Sequence, residues 1–160
     1  MTTDQTEEPV QPSEHPERNV TEQVTSESIA AIFEEENLEY RIEDQVVRSG
    51  FVNAAIVVAI DGDHIVFEAL WRGEFPREMA PKVLYACNEH NQTHFAPTLR
   101  FFERGEDQLA ISAIRAIRIA EGASFNQLGA FIASSIDTTL QAFDFLKNTF
   151  PTVVTWEEPQ

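Results

Sequence analysis

Residues 54–71, AAIVVAIDGDHIVFEALW, decide the fold of this 160-residue chain. Two runs rich in β-branched and aromatic residues, Ala54–Ile60 and Ile65–Trp71, stand on either side of the tetrapeptide DGDH. Its Asp-Gly pair tolerates the positive φ that a tight hairpin requires. The stretch therefore predicts two antiparallel strands joined by a short turn.

Two neighbouring regions extend this predicted sheet. Tyr40–Phe51 has the composition of an extended segment with a polar break at Glu43-Asp44-Gln45. Further along, Thr98–Glu103 and Leu109–Ala120 form a second hairpin pattern around a Gly-containing loop. The alternation of the last strand drifts near Ile114, which indicates a β-bulge there.

Three helices are predicted around these strands. The first starts at Thr25, whose hydroxyl can cap its first turn. The second carries Pro81 in its first turn, where a missing N–H costs nothing, and runs to about Asn91. The third begins with the capping-box spacing of Ser124 and Gln127. The order α-β-β-β-α-β-β-α predicts an α+β fold, an antiparallel sheet with helices packed on it.

Composition restricts the classes of partner. The chain has a net charge of −16 with 11 basic residues, so it would repel a phosphate backbone, and we expect no nucleic-acid partner. It has no apolar run long enough to cross a bilayer and no secretory signal pattern, so we expect no membrane partner. With one cysteine, Cys87, it cannot form an internal disulfide. These features predict a cytoplasmic protein.

The acidic charge is concentrated near the N-terminus. Residues 1–22 combine Glu, Gln and Pro with almost no apolar side chains, and such a segment cannot offset its ordering entropy by burial. We therefore predict a disordered acidic tail over 1–22 and a single α+β domain over 23–157.

No catalytic or metal-binding constellation emerges from the residue pattern. Cys87, His90 and His94 have ligand-type side chains near one helix face, but they lack a fourth ligand nearby, and a lone cysteine most often packs as a small hydrophobe. Asp61 and Asp63 lack the remaining ligands of a calcium loop and are explained by turn formation. The sequence therefore predicts a protein that is not an enzyme and holds no cofactor or metal.

Three segments resemble the YbjN family of bacterial proteins: LWRGEFP at residues 70–76, NEHN at 88–91, and the closing helix over residues 134–151. The resemblance covers Val24–Trp156 and implies an α+β fold like that of type III secretion chaperones, which dimerise and bind protein partners. Members are described as sensory-transduction regulators, and no established catalytic residues can be carried over to this chain. A fold likeness by itself does not transfer function.

Aromatic and arginine side chains on predicted strands are the candidate binding residues. Adjacent Phe101 and Phe102 must point to opposite faces of a strand, so one can join the core while the other requires a separate cover. Arginines can bind an acidic partner or an anion through two parallel hydrogen bonds. The candidate interface consists of Trp71, Arg72, Phe75, Arg100, Phe101, Phe102 and Arg115.

Two functional hypotheses follow. The first is a non-enzymatic protein-binding module, a homodimer with a chaperone, adaptor or regulatory role, whose protein partner the sequence does not identify. The alternative is a sensor of a small molecule or anion that uses Arg72, Arg100 or Arg115. The sensor hypothesis requires a concave pocket with converging polar groups.

Overall fold

The computed structural model of the chain describes residues 16–157. Within them lie three α-helices and six strands: α1 (Ser26–Glu35), β1 (Arg41–Glu43), β2 (Val46–Phe51), β3 (Ala54–Asp61), β4 (His64–Pro76), α2 (Ala80–Thr93), β5 (Thr98–Glu103), β6 (Gln108–Arg118) and α3 (Phe125–Thr149). Short 3-10 turns occupy Pro16–Asn19, Arg77–Met79 and Pro151–Val153. Among these helices, none is long and apolar enough to cross a membrane.

The strands form one antiparallel sheet in the order β1-β2-β3-β4-β6-β5, so the predicted α+β class is confirmed. The hairpin over residues 54–71 pairs in register from Ala54 with Trp71 to Asp61 with His64. The predicted element order is one strand short. Asp44 and Gln45 adopt positive φ values of 51° and 66° and turn the polar break into a hairpin between β1 and β2.

The predicted helix starts are present. The Thr25 side chain caps α1, and Ser124 and Gln127 form a reciprocal capping box at the start of α3. Pro81 lies in the first turn of α2. Each device satisfies or avoids an N–H group that would otherwise lack a partner at a helix start.

The predicted bulge near Ile114 is wrong in position. From Glu68–Ile114 to His64–Arg118 the pairing of β4 with β6 is regular. The irregularity instead lies in β4 between Leu70 and Glu74. Arg115 and Arg118 consequently point to opposite faces, as a regular strand requires.

The three helices cover one face of the sheet. Along β4 the odd-numbered side chains from Ile65 to Phe75 are buried, whereas the even-numbered ones from Val66 to Glu74 are partly or fully exposed. The buried face packs against α1 and α3 in a single apolar core that includes Phe33, Phe67 and Phe143. The alternation leaves the other face of the sheet without a covering helix among the described residues.

Most of the predicted acidic tail, residues 1–15, lies outside the described residues. Two residues of its last part, Arg18 and Glu22, contact the rest of the chain. Arg18 forms an ion pair with Glu35 at 2.6 Å. Glu22 exchanges two backbone hydrogen bonds with Ala123. The adjacent Gly122 has a φ of +84°, and a β-carbon at this position would lie only 2.4 Å from the Glu22 carbonyl oxygen, so glycine is required for this close approach. The division into a tail over 1–22 and a domain over 23–157 stays a prediction.

Candidate functional site

The uncovered sheet face has an apolar centre. Strand register places five partly exposed side chains on it: Val57, Val66, Leu70, Phe102 and Ile114. Cross-strand neighbours shield one another, which explains their partial burial without a covering layer. We call the face formed by these residues and the charged groups around them the open face.

Charged side chains around this centre form cross-strand pairs. The Arg100 guanidinium donates from Nε to Ser112 Oγ and from Nη2 to Glu68 Oε1, both at 3.2 Å. At the β1 edge, Arg48 lies 3.0 Å from Glu43. Such exposed pairs contribute little to stability, about 0–1 kcal/mol. Their effect is that positive and negative charges on this surface largely neutralise one another.

The open face is nearly electroneutral although the chain is strongly acidic. Strand alternation and ion pairs place six arginines and four carboxylates on it: Arg41, Arg48, Arg72, Arg100, Arg104, Arg118, Glu43, Asp61, Glu68 and Glu74. The resulting local charge of +2 contrasts with −16 for the chain. The negative charge is therefore carried by other surfaces and by the N-terminal residues.

The two adjacent phenylalanines separate as expected. Phe101 pairs with Ile111 and packs against the core on the helix-covered face. Phe102 pairs with Ala110 and lies half-buried on the open face. Both rings are partly exposed, but Phe102 is the one on the open face.

Two predicted interface residues, Trp71 and Phe75, belong to the core instead. Both are fully buried. Their rings lie 5.7 Å apart, and Trp71 also contacts the ring of Trp156 edge to face at 5.6 Å. Alternation along β4 turns both rings beneath the helices, so neither presents surface to a partner.

Arg72 lies at the β4 irregularity and is held locally. Its Nη1 donates to the Val52 carbonyl at 3.2 Å, and its guanidinium stacks 5.7 Å from the Trp156 ring. These contacts fix the side chain beside the aromatic cluster. They leave it apart from Arg100 and Arg115.

Arg115 lies beneath the helices and contacts α3. Its Nη1 donates to Ser134 Oγ at 2.5 Å and to Ser135 Oγ at 3.3 Å. Its guanidinium also lies 5.1 Å from the Phe131 ring. Within residues 16–157 it has no carboxylate within 4 Å, unlike Arg100 and Arg48.

A cavity of about 330 Å³ opens beside this guanidinium, between α2, α3 and β6. We call it the Arg115 pocket, and six of its lining residues are His90, His94, Arg115, Ser134, Thr138 and Phe145. Sequence reasoning missed it because its walls come from three separate segments. The available signal was a pair of histidines at a helix end together with an arginine at an inward strand position.

The two histidines stack face to face at 4.3 Å. His90 is 3% exposed, and its Nδ1 has no hydrogen-bond partner. Burial is the main cause of a lowered pKa at His90; the neighbouring Asn91 side chain opposes this shift and His94 adds to it, so the imidazole is neutral near pH 7. His94 Nδ1 lies 3.1 Å from the His90 carbonyl.

Cys87, which precedes these histidines in α2, is a core thiol. Burial raises its pKa to about 11, so it stays protonated and is a poor nucleophile near neutral pH. In the part of the chain that the structure describes, no three His, Cys, Asp or Glu side chains are arranged to hold a metal ion.

Comparisons with known proteins agree on the type of fold. Residues 25–148 match the model of the YbjN family, described as "Putative bacterial sensory transduction regulator". The structure is similar to the crystal structure of YbjN from E. coli, described as a putative transcription regulator, with a TM-score of 0.71 at 8% identity. That similarity covers 82% of this chain and 97% of the E. coli chain. No curated protein matches the sequence.

Proposed function

The chain belongs to the YbjN family, and on that premise we propose that it is a non-enzymatic regulatory module that binds protein through the open face. The observation that carries the proposal is this apolar, nearly neutral sheet surface with no helix over it. Contiguous apolar surface, here partly exposed, is typical of protein interaction sites. Regulation by association requires such a surface and requires no catalytic group.

A second copy of the chain is the partner that we propose for this face. Two chains of charge −16 repel each other, and repulsion is weakest where surfaces of charge near zero meet. Charged pairs such as Arg100–Glu68 surround the apolar centre and can exchange partners across a two-fold axis. A homodimer therefore fits the charge distribution.

The size of the open face also suits a dimer. The six strands hold 3, 6, 8, 13, 6 and 11 residues, which at about 3.3 Å per residue and about 4.8 Å between strands cover roughly 750 Å² in projection. The accessible area of a corrugated surface exceeds its projection, and a specific interface buries about 800 Å² on each partner. The face is therefore close to the standard size without any rearrangement.

Sedimentation velocity with two matched charge variants tests this proposal. Ile114→Glu places a carboxylate opposite Glu68 at the centre of the open face, where we expect it to weaken dimerisation at least tenfold. Leu84→Glu adds the same charge at an exposed position of α2 and should leave dimerisation unchanged. Equal effects of the two variants, or a wild type that stays monomeric at every attainable concentration, would refute the second-copy assignment. A monomer that binds a different polypeptide through its open face would also refute this assignment.

The proposal includes a location in the cytoplasm. Cys87 is buried as a free thiol, and the described residues hold no disulfide. Reduced cysteines are typical of that compartment.

The sensing of a small anion is a second candidate function, and one observation favours it. Arg100 is bound to Glu68, and Arg72 is bound to the Val52 carbonyl. Arg115 has spare donors beside a cavity. Arg72 also lines a cavity, but its side chain is exposed at the sheet surface, whereas Arg115 is half-buried beside its cavity. Of the three predicted arginines, Arg115 is therefore the best supported as an anion site.

A further inference from the structure

We propose that the Arg115 pocket binds a small monocarboxylate with an apolar body, such as an aromatic or branched aliphatic acid. The site is the anion-sensing candidate introduced above. It lies on the opposite side of the sheet from the open face and does not depend on dimerisation through that face.

The charge of Arg115 is not balanced by a carboxylate of the described residues. A half-buried guanidinium has lost part of its hydration, and such groups are usually compensated by a carboxylate. Arg115 has only the hydroxyls of Ser134 and Ser135 and the Phe131 ring, in a chain with 27 acidic residues. Only Nη1 is used in these hydrogen bonds, so Nε and Nη2 are available for a carboxylate. Because the guanidinium carries a single positive charge, it is balanced by a ligand with a single negative charge.

His90, stacked on His94, is a second polar side chain of the same wall. Its Nδ1 is buried without a hydrogen-bond partner. His90 lines the pocket as a neutral imidazole, so one of its ring nitrogens carries a proton. When the proton lies on Nε2, the imidazole can donate a hydrogen bond to a bound anion.

The rest of the lining selects an apolar body. Phe145 and Ala142 contribute apolar walls, and Phe95 stands fully exposed at the rim. An aromatic ring left entirely in water at the edge of a cavity gains most by packing on an apolar ligand. The remaining polar groups, Thr138 and Gln141, can orient such a ligand without adding charge.

The volume limits the size of the ligand. At about 330 Å³ the pocket lies at the lower end of the range for small-molecule sites, about 300–1,000 Å³. A single ring or a branched chain of similar bulk fits. A dianionic phosphate would meet one arginine and no lysine among the lining residues, so a monocarboxylate is favoured over it.

Calorimetric titration of the full chain with 3-phenylpropionate tests the proposal. We expect saturable 1:1 binding with a Kd of about 1 mM or tighter. Arg115→Gln should weaken it at least tenfold, whereas Arg118→Gln, on the same strand but on the open face, should not. Absence of saturation in the wild type, or equal affinity of the two variants, would overturn the proposal.

A second measurement does not depend on whether Arg115→Gln folds. The neutral analogue 3-phenylpropionamide should bind wild type at least tenfold more weakly than the acid, because it cannot satisfy the guanidinium charge. The acid, and not inorganic phosphate, should shift the imidazole NMR signals of His90 and His94. Equal binding of acid and amide, equal binding of phosphate, or histidine signals unmoved at saturation would each overturn the assignment. Ile114→Glu should bind the acid like wild type, which separates this result from the test of the open face.

Discussion

Trp71→Ala is the perturbation whose cost the structure specifies best. The Trp71 side chain is fully buried and contacts the rings of Phe75, Phe143 and Trp156 at centroid distances of 5.7, 6.4 and 5.6 Å. Truncating such a ring removes its transfer free energy and leaves a cavity, which together cost about 3–5 kcal/mol. That loss is a large part of the 5–15 kcal/mol by which a domain is typically stable.

Trp71→Phe should be far milder for a specific reason. Trp71 Nε1 is buried without a hydrogen-bond partner, and an unsatisfied N–H costs about 1–3 kcal/mol. Phenylalanine removes that donor and loses only part of the apolar ring. We therefore expect the removal of the unsatisfied N–H to offset most of the cost of the smaller cavity. The free energy of unfolding should then change by no more than about 1 kcal/mol.

Urea unfolding followed by far-UV circular dichroism measures both variants, with the free energy obtained by linear extrapolation. The probe does not rely on tryptophan fluorescence, which the substitutions themselves alter. A loss below about 1 kcal/mol for Trp71→Ala would contradict the core assignment, because that is the range of surface substitutions. Equal losses for the alanine and phenylalanine variants would refute the argument from the unsatisfied donor.

Two further predictions concern the adjacent phenylalanines and the buried histidine. Phe101→Ser should destabilise the domain by about 2 kcal/mol in urea unfolding because Phe101 packs against the core. Phe102→Ser should cost less than about 1 kcal/mol in stability but should weaken dimerisation in sedimentation velocity. The reverse pattern would show that the two side chains occupy the opposite faces. The pKa of His90 is lowered by burial, so the unfolded chain binds a proton there before the folded chain does, and stability should fall as pH drops below the ordinary value of 6.5 toward the lowered pKa. In His90→Phe that part of the pH dependence should disappear from melting curves recorded between pH 7.5 and 5, and an unchanged pH dependence would contradict the neutral, buried state.

Local patterns predicted most of the fold. The hairpin at residues 54–71 and the capping boxes depend on neighbours in sequence, so their residues alone identify them. The β1–β2 turn was missed because it uses positive φ at Asp44 and Gln45, which are not glycines. The position of the bulge depends on pairing between β4 and β6, which no single strand encodes.

The candidate site was harder to predict because it depends on which face a side chain occupies. Trp71 and Phe75 illustrate this difficulty. Aromatic residues are common both in cores and at interfaces, so the residue type alone does not distinguish the two locations. The separation of Phe101 and Phe102 followed from strand geometry, but the sequence did not say which of them faces the helices. The Arg115 pocket joins segments far apart in the chain and required the tertiary structure.

Methyl NMR on a dilution series detects self-association through the open face at individual side chains. We expect concentration-dependent shifts of the Val57, Val66 and Ile114 methyl signals, with Leu84 on α2 and the buried Ile132 unchanged. Shifts confined to Leu84 and other helix-surface methyls, or none over the whole series, would contradict it.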